Sequence, residues 1–82
     1  MPGQAASSWA DALGVQERDV PGLLFGLVRQ IREIDERVMR FRSVVHEGPD
    51  PELDAALLLM ERAAHTAAER VEDAHREVVR HA

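Results

Sequence analysis

The chain has no cysteine, no lysine and no tyrosine, and it carries one tryptophan and two phenylalanines. Without cysteine there is neither a disulfide framework nor a thiolate metal site. That usage suits a reducing compartment, and a cytoplasmic protein is expected. Long apolar runs are also missing. The longest, Ala55 to Met60, covers six residues, against the roughly 20 that a membrane-spanning helix needs. The opening MPGQAASSWADALG lacks the basic and apolar regions of a secretory signal. No membrane association is therefore expected. Positive charge is in short supply too: the formal net charge is −5, against the basic patch that nucleic-acid binding normally requires. No glycine-rich phosphate loop occurs, and no serine or threonine has a base arranged beside it. The reading therefore leans away from an enzyme.

What is present is small, charged and helix-forming. The 82 residues are enough for one domain, and chains of this size bury only about 60% of their unfolded surface. Twelve residues are alanine, and all ten cationic residues are arginine, the usage of a GC-rich genome and of a small bacterial protein.

Residues 1–7 are rich in Gly, Pro and small side chains and are expected to be disordered. Ser8 is placed as the N-cap of a short helix over 8–13, with Asp11 as its capping-box partner and Gly14 as its stop. A helix that short needs to dock on something. Asp19 is placed as the cap of a second helix over 20–46, with Pro21 in its first turn. Its apolar residues, Val20, Leu24, Leu27, Ile31, Ile34, Val38, Phe41 and Val45, alternate in steps of four and three, the spacing of a heptad seam. His46 falls in its last turn, and Gly48-Pro49 ends it. Asp50 caps a third helix over 51–81, with Pro51 at its first position. There Leu53, Leu57, Met60, Ala64, Ala67, Val71, Ala74 and Val78 repeat the same steps.

Folding the chain back at Gly48-Pro49 pairs Val45 with Leu53, Phe41 with Leu57 and so on to Val20 with Val78. The residue numbers of every pair add to the same total. The expected fold class is therefore all-α: a short N-terminal helix and a single domain, 8–82, built on a long antiparallel helical hairpin. Beside the seam, Arg42 is expected to face Asp54, and Asp35 to face Glu61.

Apolar residues remain outside that seam, and a helix apolar on every side is usually covered on every side. Trp9, Met39, Val44, Leu58 and Leu59 are the candidate interface residues. The simplest use of such a surface is a homodimer closing a four-helix bundle, with a different protein partner as the alternative. The expected function is a non-enzymatic oligomerisation, docking or adaptor module. The alternative is a di-iron-like metal protein formed across a dimer. Glu72-Asp73-Ala74-His75 has the Glu-x-x-His form of carboxylate-bridged bundles, and Glu33 and Glu36 are the further candidate ligands, for iron, manganese or zinc. No resident cofactor is expected otherwise. Gly22 and Gly26, four apart, fit either a close helix crossing beneath Trp9 or a flexible helix end. The stretch Ile31-Arg32-Glu33-Ile34-Asp35-Glu36-Arg37-Val38 is similar to the first helix of the small helical chorismate mutases. The lysine which that resemblance implies for catalysis has no counterpart in a lysine-free chain.

Overall fold

The computed structural model describes residues 4–45 and 48–80. Three helices make up the fold: α1 (Gln4–Leu13), α2 (Val20–Val45) and α3 (Pro51–Arg80), with one turn of 3-10 helix, Glu17–Asp19, leading into α2. Among the described residues there is no strand. Ion pairs join Arg42 to Asp54 near the turn and Arg32 to Glu72 further along. Residue numbers thus rise on α2 as they fall on α3, and the two long helices form an antiparallel hairpin. The expected last-turn place of His46 and the end of α3 at residue 81 lie outside the described residues.

The turn is built as its sequence suggests. The Gly48 amide donates to the Val45 carbonyl at 2.7 Å. A Cβ on Gly48 would stand 2.6 Å from that same oxygen, so no larger residue fits. Asp50 caps α3: its carboxylate accepts from the Leu53 amide at 3.0 Å and its carbonyl from the Asp54 amide at 3.2 Å. Pro51 follows at the first helical position, where the missing N–H costs nothing.

The N-terminal end differs from expectation. α1 begins at Gln4, so Ser8 sits inside the helix instead of capping it, and residues 4–7 are helical. Tertiary packing explains the extension. Ala6 and Ala10, one turn apart, are buried together with Val20, Leu24 and Val78, and Ala5, Trp9, Val15, Val71 and Ala74 pack around them. The helix stops at Gly14, which takes φ 68, while the Val15 amide bonds back to the Ala10 carbonyl at 3.0 Å. This is the Schellman arrangement, with Val15 making its usual apolar contact. The chain then enters α2 through backbone bonds: the Asp19 amide reaches the Gln16 carbonyl at 3.0 Å and the Val20 amide the Glu17 carbonyl.

The deepest part of the molecule is therefore the open end of the hairpin, where three helices meet. Val20, Leu24 and Val78 are its most buried large side chains. Gly22 and Gly26 make no close crossing, because a Cβ at either position would have nothing within 4 Å. The molecule is a rod of 53 × 19 × 16 Å with a radius of gyration of 16.5 Å, against about 12 Å for a compact chain of this length.

Leu24→Ala should lower unfolding stability by about 3 kcal/mol, more than half the total of a small domain. Gly22→Ala should raise it by roughly 0.5–1 kcal/mol. Urea unfolding followed by circular dichroism measures both.

Candidate functional site

Residues seven apart in a paired helix lie on one side, so each long helix can be read as three lines. On α2 the central line is Leu24, Ile31, Val38 and Val45. To one side run Val20, Leu27, Ile34 and Phe41, and to the other Val28, Asp35 and Arg42. On α3 the central line is Leu57, Ala64, Val71 and Val78. Leu53, Met60, Ala67 and Ala74 flank it on the first side, and Asp54, Glu61, Ala68 and His75 on the second.

The helices are rolled toward the second side. Val28, Val38 and Ala68 are buried, whereas Leu27, Ile34 and Phe41 stay 42%, 43% and 51% exposed, and Leu53 and Met60 40% and 48%. Six of the sixteen residues of the expected seam, Leu27, Ile34, Phe41, Leu53, Met60 and Ala67, are therefore exposed. On the second flank Arg42 donates to Glu61 and, at 3.4 Å, to Asp54, which ties the two helices together, and the small Ala68 is buried. The expected Arg42–Asp54 pair is present. Asp35 and Glu61 do line one groove, but Arg42 takes Glu61, and Asp35 Oδ1 is buried with no hydrogen-bond partner.

This second flank is polar. One groove of about 500 Å³ is lined by Asp35, Met39, Leu58, Glu61, Arg62, His65 and Thr66. A smaller one, about 240 Å³, lies beside Arg32, Asp35, Glu36, His65 and Glu69. His65 Nε2 stands 3.0 Å from Glu69 Oε1 on the exposed face of α3. The hydrogen bond to Glu61 raises the Arg42 pKa above its ordinary value. Desolvation opposes that rise, and the charges of Glu61 and Asp54 add to it.

The candidate metal ligands are dispersed in the single chain. Glu72 pairs with Arg32, the His75 ring lies 5.9 Å from that of Phe25, and Glu33 and Glu36 are exposed on α2. Among the described residues, no three His, Asp or Glu side chains gather as a metal would require.

The candidate interface residues are dispersed too. Met39 and Leu58 share the polar groove. Trp9 belongs to the open end, facing Leu13, Leu23 and Gly26 across a depression of about 340 Å³. Among the described residues, Val44 and Leu59 are the most exposed of the large apolar side chains, at 82% and 66%.

The coherent apolar surface is the first flank. Leu27, Ile34 and Phe41 on α2 run beside Leu53, Met60 and Ala67 on α3, and no charged residue interrupts either line. In the middle, Ile31, Ile34, Met60, Ala63, Ala64 and Ala67 border a shallow groove of about 280 Å³. All of these but Ala63 belong to the expected seam, where they would be covered. Among the described residues, no helix is long and apolar enough to cross a membrane. No family model, curated protein or solved structure matches the chain.

Arg42→Gln should lower the melting temperature by the same amount at pH 7 and pH 10. A raised folded-state pKa contributes stability that is complete below the unfolded guanidinium value and lost only above it, beyond both conditions. A deficit that vanishes at pH 10 would show that Arg42 does not carry this tie. Asp35→Leu, which removes a buried oxygen without a partner, should add about 1 kcal/mol in urea unfolding.

Proposed function

We propose that this protein is a helical oligomerisation and docking module, which works by presenting a rigid apolar face to another protein, and that it forms a homodimer closing a four-helix bundle. The observation that carries this reading is the uncovered stripe of Leu27, Ile34, Phe41, Leu53 and Met60. These residues have the spacing of a core and the exposure of a surface. Contiguous apolar patches of that kind mark binding surfaces on water-soluble chains, and helix-face recognition uses anchors at this spacing.

The total area supports it as well. The chain exposes 6171 Å², where a compact protein of its mass exposes about 4,900 Å². The excess, roughly 1,200 Å², exceeds the approximately 800 Å² that each partner contributes to a standard interface. The polar flank fits the role less well. A partner seated there would have to desolvate Asp35, Arg42, Glu61 and His65, and burying charge costs more than their pairing returns.

Ile34→Glu combined with Met60→Glu should convert a dimer at about 10 µM into a monomer in size-exclusion chromatography with light scattering. Met39→Glu with Leu58→Glu, in the polar groove, should leave it dimeric. The reverse pattern would move the docking face to the other flank. Native mass spectrometry of the same dimer should give the mass of protein alone. One or two iron, manganese or zinc ions per pair, lost in Glu72→Ala with His75→Ala, would replace this reading with the metal-bundle one.

A further inference from the structure

The apolar flank carries one more feature, the placement of α1. Val20 belongs to the same line as Leu27, Ile34 and Phe41, yet it is completely buried. Ala74 holds the matching place on α3 beside Ala67 and Met60. Both pack against α1 through Ala6, Ala10 and Trp9. The short helix thus lies on the apolar flank itself and covers the first step of the stripe. At ten residues it spans about 15 Å, while α2 from Leu27 to Val45 runs on for about 27 Å. What remains bare is the longer part of the flank, nearest the turn.

Resting on the self-association reading above, we infer that the occupant of this bare part is the same part of a second copy, stacked face to face and antiparallel. The two-fold axis then passes between Ile34 and Phe41 on α2 and close to Met60 on α3, and α1 of each copy abuts the turn end of the other. Three observations carry the inference. First, α1 stands proud of the flank by one helix layer. Parallel stacking would bring two such layers to the same height and hold the hairpins apart by about 30 Å, three times the 8–10 Å at which packed helices touch. Antiparallel stacking sends each α1 past the end of the other copy's hairpin. Second, the bare segment is bounded by α1 at one end and the turn at the other, so two copies related by a central two-fold cover each other over its full length. The midpoint between Leu27 and Gly48 falls between Ile34 and Phe41. Third, an isologous contact needs a self-complementary surface. The alanine-lined groove of Ala63, Ala64 and Ala67 beside the centre leaves room for the Phe41 and Met60 side chains of the second copy.

The absence of cysteine allows a direct test with single substitutions in the full chain. A disulfide needs Cα atoms within about 7 Å. Met60→Cys, whose two copies meet near the axis, should give disulfide-linked dimers under mild oxidation. Leu27→Cys alone should not, since its two copies lie about 30 Å apart along the rod. An equal mixture of Ile34→Cys and Phe41→Cys should link as the mixed dimer. Circular dichroism confirms that each variant is folded, and sedimentation of the unsubstituted chain gives its mass. Self-linking of Leu27→Cys would overturn the antiparallel order while leaving self-association standing. A dimer by sedimentation that none of these cysteines links would overturn the choice of face. A monomer at 100 µM, about the weakest affinity a specific dimer of this area would show, would overturn the inference and the homodimer together.

Discussion

Two helices lying side by side share one line of contact, and each can cover the other on a single side only. Everything in this molecule follows from that limit. Where a third helix is present, at the open end, Val20, Leu24 and Val78 are fully enclosed. Where it is absent, the pair must choose which flank to close. The closed flank is the polar one, which holds the Arg42 ties to Asp54 and Glu61 and the buried Ala68. The flank made of leucine, isoleucine, methionine and phenylalanine is left open. A charged seam has been closed at the expense of an apolar one, which is an unfavourable arrangement for a lone chain in water and a sensible one for a subunit.

The same limit explains which parts of the structure could be read from the sequence. The helices, the turn at Gly48, the Asp50 cap and the antiparallel pairing are local or rest on a repeated spacing, and all were legible. So was the Arg42–Asp54 pair. The roll of α2 against α3 was not. A heptad pattern defines an apolar stripe about three residues wide, and Leu27 and Val28 both lie within reach of the centre. Which of them is buried depends on partners far along the chain. The start of α1 at Gln4 was missed for a similar reason: Ala5 and Ala6 give no amphipathic signal of their own, and only their packing on Val20 and Val78 makes that turn worthwhile.

The candidate site was legible only as a class of surface. Surplus apolar residues on a thin scaffold suggest an interface, but Trp9, Met39, Val44, Leu58 and Leu59 all lie outside the expected seam. The structure gathers the exposed apolar line from residues within it. The Glu-x-x-His spacing of Glu72 and His75 is real in the sequence, yet in the folded chain Glu72 meets Arg32 and His75 meets Phe25, and both stand on the polar flank.

The central claim is that the bare apolar flank is covered by a second copy. Small-angle X-ray scattering of the unmodified chain tests it in one experiment, because forward scattering gives mass and the distance distribution gives length. The account requires twice the 9.2 kDa of one chain, in a particle thickened across its short axes and lengthened beyond the 53 Å rod only by the overhang of α1 at each end. A particle of 9.2 kDa with a radius of gyration near 16.5 Å would contradict it.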